Sequence, residues 1–234
     1  MIIEIPVSSR PGSRFEPIEE RLLDPDLIQL AESLPGAKNS LFISREVTGP
    51  QGIADLVATV KTGDSLKARR NLQLPPLASL SDAAVVAAFS SRRVFFPESV
   101  ASRLGMSIEQ VKRRASNLAT GGYLLKKGHG FCRMEGMTSI GRSYALEAKV
   151  NNWKGGLSQA LRYGKWCDSA SVVLLRPPRN IEEVQQHFKH FQVGLAIRSH
   201  WIVRPRLGKP DPGMRLFASE LWFDNYLQNP SLSA

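Results

Sequence analysis

The chain has 234 residues, 42% hydrophobic and 22% charged, enough for one medium domain or two small ones, each with a buried core. Its formal net charge of +10 implies a polyanionic partner, nucleic acid before membrane, because no basic amphipathic helix with a bulky apolar face is present. No apolar run approaches the ~20 residues that cross a bilayer, no secretory signal pattern opens the chain, and Cys132 and Cys167 stand outside any CxxC or Cys/His cluster, so a disulfide scaffold is not expected and a cytoplasmic setting is.

In chain order, the first strong pattern is Gly52–Val60, a strand that is apolar throughout except for Asp55. A lone carboxylate in such a run must be paired, protonated, at a strand end or on a metal. Residues 61–80, broken by Pro75-Pro76, read as a linker. Three short helices follow. The first, 83–89, is capped by Ser81 or Asp82; the second, 98–104, has Pro97 in its first turn and Gly105 past its end. The third is capped by Ser107, carries Ile108, Val111, Ala115 and Leu118 at helical spacing, and stops at Gly121-Gly122. Residues 123–134 read as two short strands about a Gly128-His129-Gly130 turn. Residues 91–130 hold eight Lys/Arg against two acids, a net +6 of the chain's +10.

Helix, helix, tight turn, helix and hairpin together resemble a winged helix-turn-helix, with 97–115 as its core. The resemblance implies that the helix from Ile108 to Thr120 is the recognition helix. Ser107, Glu109, Gln110, Lys112, Arg113 and Arg114 then lie at or near its exposed face, and Lys126, Lys127 and His129 on the wing. Ser107, Gln110, Lys112, Arg113, Arg114, Lys126 and Lys127 are the expected DNA contacts, helix residues reaching base edges and wing lysines reaching phosphates. The alternative is a helical bundle with a solvated basic face, or a winged helix that docks on protein.

Past a return linker at 136–142, residues 143–150 alternate as a half-buried strand, with Tyr144, Leu146, Ala148 and Val150 on one face and Glu147 and Lys149 on the other. Side by side, a carboxylate and an ammonium either form a solvated surface pair or hold a hard cation beside a reacting centre. A helix pattern at 157–166 places Gln159 and Tyr163 on one face, and 170–175 reads as an apolar strand. Residues 181–191 form an amphipathic helix with Ile181, Val184, Phe188 and Phe191 inward; its His187 and His190 lack a third ligand and read as surface residues. A hairpin at 193–203, a Pro/Gly-rich loop at 205–213 and a closing helix at 214–226, with Phe217, Leu221 and Trp222 inward, end the pattern. No GxxxxGK[ST] motif is present, so ATP-driven translocation is not supported.

The order of strand with Asp55, strand with Glu147-x-Lys149, helix with Gln159, then strand, resembles the PD-(D/E)XK nuclease superfamily over residues 40 to 205, apart from the insertion. The family's Pro-Asp reads Ala54-Asp55 here. The resemblance implies an α/β fold, a restriction-endonuclease-like mixed sheet flanked by helices and interrupted by a winged helix-turn-helix domain. The expected division is 1–63 for the first part of the core, 64–138 for linkers and insert (the domain proper at 81–134), and 139–234 for the second part. It further implies a metal-dependent DNA endonuclease acting on double-stranded DNA. Asp55, Glu147 and the Ala148 main-chain carbonyl would hold Mg²⁺, with Mn²⁺ as a substitute; Asp55, Glu147, Lys149 and Gln159 form the catalytic set. An upstream acid joins the site in many branches, and Glu19, Glu20 or Glu46 could supply it. A homodimer or other protein subunits are both left open, as is the rival that an inert nuclease-like core serves a DNA-binding regulator or assembly protein.

Overall fold

The computed structural model describes residues 2–6 and 19–229. Strand β1 (Ile2–Glu4), a 3-10 turn (Glu20–Leu23), helix α1 (Asp24–Glu32), β2 (Leu41–Gly49) and β3 (Gly52–Val60) come first. Helices α2 (Gly63–Asn71), α3 (Leu80–Ala88), α4 (Pro97–Leu104) and α5 (Ile108–Thr120) follow, then the hairpin β4 (Leu124–Lys127) and β5 (Gly130–Arg133). The chain continues as β6 (Arg142–Lys149), α6 (Trp153–Tyr163), β7 (Ser169–Leu174), α7 (Ile181–His190), β8 (Gly194–Ile197), β9 (His200–Val203) and α8 (Pro212–Leu227). These elements make two compact units, the first from 1–62, 141–210 and 229–234, the second from 63–140 and 211–228.

The first unit is mixed α/β. Its seven-stranded sheet runs β1-β2-β3-β6-β7-β8-β9. Pairing is antiparallel for β2–β3, β3–β6 and β8–β9 and parallel for β1–β2, β6–β7 and β7–β8. Period-two alternation sets which side of each central strand is apolar. Leu56, Ala58, Tyr144, Leu146, Ala148 and Val173 pack with Leu27, Leu30 and Ala31 of α1 on one face. Asp55, Glu147 and Lys149 alternate out of that core, so they lie on the face that α6 covers. There a Cβ at Gly156 would fall 2.7 Å from Val172 and 3.3 Å from Lys149, so only glycine lets the helix approach this closely.

The second unit holds α2, α3, α4, α5, the β4–β5 hairpin and α8 around one apolar cluster that includes Val85, Val86, Val100, Val111, Leu118, Phe131 and Leu216. The helix starts follow local chemistry. Pro97 opens α4, Gly105 closes it at φ 62°, and Ser107 and Gln110 form a capping box on α5. Helix α3 departs from expectation: Ser79, not Ser81 or Asp82, is its cap, and its Oγ accepts the Asp82 N–H. Extended backbone at Ser79 leaves its hydroxyl facing the first turn, while Asp82 lies inside that turn and accepts from the same hydroxyl at 2.7 Å.

Two further expectations are corrected here. Residues 63–71 are helical rather than linker, and the closing helix belongs with the inserted unit, not with the core assigned to 139–234. Both corrections have one cause. Arg69 of α2 and Glu220 of α8 are wholly buried and paired two-to-two, Nε to Oε1 at 2.9 Å and Nη2 to Oε2 at 2.8 Å. The guanidinium also donates to the Leu74 and Pro75 carbonyls, the Leu77 N–H reaches Glu220 Oε2, and Phe223 lies 4.5 Å beneath the cation. The inward face of α8 is therefore Leu216, Ser219, Glu220, Trp222, Phe223 and Tyr226; Phe217 and Leu221 are only half-buried. Removing one partner of a buried, hydrogen-bonded ion pair strands the other charge, so Glu220→Ala should destabilise the second unit by about 3–5 kcal/mol. Urea denaturation followed by circular dichroism measures this; a loss below about 1 kcal/mol would contradict the pair's assigned role.

Candidate functional site

The β3–β6 ladder ends at the Leu56–Leu146 pair. Beyond it Asp55 places its side chain, rather than its backbone, opposite the next donor: Oδ2 accepts the Ala148 N–H at 2.7 Å. A carboxylate accepting a main-chain N–H at that length makes a charge-assisted bond of the stronger kind. It fixes Asp55 beside the Glu147–Lys149 segment on the face that α6 covers.

Glu147 has no exposed surface. Its Oε1 accepts from Lys149 Nζ at 2.7 Å, and its Oε2 faces the Tyr163 hydroxyl at 2.8 Å. The same hydroxyl contacts the Ile53 carbonyl. Lys149, its side chain 14% exposed, also donates to the Ala148 carbonyl at 2.9 Å and lies 3.6 Å from Glu20 Oε2. Burial by itself would lower the Lys149 pKa, but Glu147, Asp55 and Glu20 together outweigh it and hold the ammonium above the ordinary lysine value. At neutral pH Lys149 is therefore a fixed cation and hydrogen-bond donor, not a proton acceptor. Because its folded value is raised, this ion pairing contributes fully through neutral pH and is lost only as pH climbs past the ordinary lysine range.

Helix α6 begins one turn earlier than the apolar spacing suggests, because the Asn152 side chain caps it by accepting the Gly155 N–H at 3.0 Å. Gly156, Gln159 and Tyr163 then share the face turned to β6. Gly156 lies against Lys149 and Tyr163 against Glu147, which brackets Gln159 between them. Gln159 is buried, and its Nε2 has no hydrogen-bond partner among the described residues. A buried amide donor left unpaired costs about 1–3 kcal/mol, and such groups need a reason.

Four sequence candidates, Asp55, Glu147, Lys149 and Gln159, are thus brought to one face, and the upstream acids separate. Glu20 faces Lys149, whereas Glu19 pairs with Arg176 at 3.2 Å on the exposed surface. Glu46 is exposed in the left-handed region at φ 47°. Sequence reasoning placed Tyr163 on the Gln159 face but gave it no role; its four-residue spacing was the available signal. His187 and His190 are both exposed, as expected, His187 stacking on Trp153 at 5.5 Å and His190 meeting Phe191 edge-on at 4.9 Å, while Phe191 is 45% exposed rather than inward. Among the described residues no group of three or more His, Cys, Asp or Glu is placed to hold a metal ion. The available donors are two carboxylates and the Ala148 carbonyl. These hard oxygens suit a cation that keeps much of its water, and the Lys149 ammonium already bonds two of them.

On the second unit, the expected DNA contacts differ in how free they are. Ser107 and Gln110 are occupied with each other, the Ser107 N–H donating to Gln110 Oε1 at 3.2 Å. Lys112 pairs with Glu98 at 3.0 Å, and half-buried Arg114 is tied to Asp82 at 2.8 Å, at the edge of the exposed face. Arg113, Lys126 and Lys127 are exposed. Counted along the sequence, the first unit has 18 basic and 13 acidic residues and the second 13 and 8, so each carries +5.

Compared with known proteins, the chain matches no family model, and neither a curated protein nor a solved structure is significantly similar to it. The site therefore rests on its own geometry. Tyr163→Phe tests that geometry: it removes the one hydroxyl that both Glu147 Oε2 and the Ile53 carbonyl contact and should destabilise the first unit by about 2 kcal/mol, read from thermal or urea unfolding. Wild-type stability in this variant would mean the hydroxyl does not hold Glu147.

Proposed function

We propose that the chain is a metal-dependent DNA endonuclease of the PD-(D/E)XK, restriction-endonuclease-like type that carries its own winged helix-turn-helix DNA reader in the second unit. The observation that supports this reading is the convergence of Asp55, Glu147 and Lys149 in one hydrogen-bonded group under a helix whose Gln159 Nε2 is buried and, among the described residues, unpaired.

Asp55, Glu147 and the Ala148 carbonyl would hold the cation, Mg²⁺ or Mn²⁺ in its place. When bound, such an ion lowers the pKa of an attacking water and neutralises charge that builds on the phosphoryl oxygens. The protein's part is positional. Tyr163 commits Glu147 Oε2, leaving Oε1 as the oxygen turned to the site. Lys149, kept charged by its acidic neighbours, is suited to orient the water or to stabilise the extra negative charge of the transition state, a contribution that grows as charge develops. The Gln159 Nε2 supplies a donor for a water or phosphoryl oxygen, which would end its isolation. In the second unit, exposed Lys126 and Lys127 would meet phosphates and exposed Arg113 a base edge, while capping limits what Gln110 can offer.

Cleavage of supercoiled plasmid by the purified chain, with Mg²⁺ and with EDTA, tests the proposal. Asp55→Ala and Glu147→Ala should each reduce cleavage at least about 100-fold while duplex binding in low salt stays near the parent's, because each removes an oxygen donor and no phosphate contact. If both variants cut at the parent's rate, the assigned site is wrong.

A further inference from the structure

An ammonium group has three donors. Lys149 spends two on Glu147 Oε1 at 2.7 Å and the Ala148 carbonyl at 2.9 Å; Glu20 Oε2 stands at 3.6 Å, an ion pair longer than a good hydrogen bond. The first two acceptors are the oxygens assigned above to a divalent cation, and two cations on the same oxygens repel strongly. A divalent cation on these oxygens would repel the Lys149 ammonium and favour its withdrawal from them. Glu20 is built to receive it. It opens the 3-10 turn Glu20–Leu23, which is anchored by wholly buried Leu23, and its own side chain is only 13% exposed. The adjacent Glu19 is turned outward to Arg176, so the turn sends one acid to the surface and one to the lysine.

Resting on the nuclease reading, we propose that Glu20 is a positioning residue that takes up the Lys149 ammonium when a divalent cation occupies Glu147 Oε1 and the Ala148 carbonyl. Glu20 then acts on metal affinity through Lys149 rather than as a ligand. It keeps the displaced lysine inside the site as a charged donor, where otherwise the flexible stem would carry it into solvent.

The test is a double-mutant cycle on the full chain, with Mg²⁺ affinity read by titration calorimetry and folding checked by circular dichroism. Glu20→Gln should weaken Mg²⁺ binding by about three- to tenfold, since Lys149 loses its alternative partner, and Lys149→Met should strengthen it. In the Lys149→Met background, Glu20→Gln should change affinity less than about twofold. A loss of the same factor in both backgrounds would make Glu20 a direct ligand and overturn the proposal; so would an unchanged affinity in Glu20→Gln alone. Either result leaves the nuclease reading standing, whereas a folded parent chain that binds no Mg²⁺ would bring down that reading and the proposal with it.

Discussion

An ionised carboxylate is not left unpaired inside a folded sheet, and Glu147 is wholly buried. Most of the site follows from meeting that constraint. One oxygen is given to Lys149, two residues along the same strand, and the other to Tyr163, reached only because glycine at position 156 lets α6 descend onto β6. Lys149 in turn is buried enough to need more than one acid, which draws in Asp55 and Glu20. Asp55 can contribute because its side chain replaces a ladder acceptor where β3 and β6 stop pairing. The outcome is a compact group of three carboxylates and one cation.

The second unit answers a similar constraint in a different way. Arg69 and Glu220 are buried with four of the five guanidinium N–H groups and both carboxylate oxygens engaged, so this pair closes the unit between α2 and α8. The inserted segment alone therefore does not complete that core. Gly213 sits against the Ala84 backbone, where a Cβ would fall 2.7 Å from its Cα, so α8 packs on α3 as a neighbour and not as an appendage. Even sharing of charge, +5 on each unit, means that polyanion binding need not rest on the basic helix and hairpin alone.

Where one short pattern sets the outcome, the sequence was legible. Alternation through 143–150 placed Glu147 and Lys149 on one face, Asp55 stood out as the single acid of an apolar strand, and Pro97, Gly105 and Ser107 marked helix ends that the structure keeps. Features decided by distant partners were not. Arg69 and Glu220 lie 151 residues apart, so neither the helicity of 63–71 nor the allegiance of α8 can be read from local spacing. Glu19 and Glu20 are adjacent and chemically alike; only the 3-10 turn decides which one faces Lys149. The burial of Glu147 was equally invisible, because the same Glu-x-Lys spacing describes a solvated pair. It is the packing of α6 that rules out that reading.

The proposed divalent-cation site comprises Asp55, Glu147 and the Ala148 carbonyl, with Lys149 guarding it. The most direct measurement is anomalous diffraction from crystals grown with Mn²⁺, collected at the manganese edge. The expected result is a single strong peak in contact with Asp55, Glu147 Oε1 and the Ala148 carbonyl, with Lys149 Nζ moved off that carbonyl. Crystals in which no manganese touches these oxygens, and Lys149 keeps its bonds to Glu147 and Ala148, would contradict it.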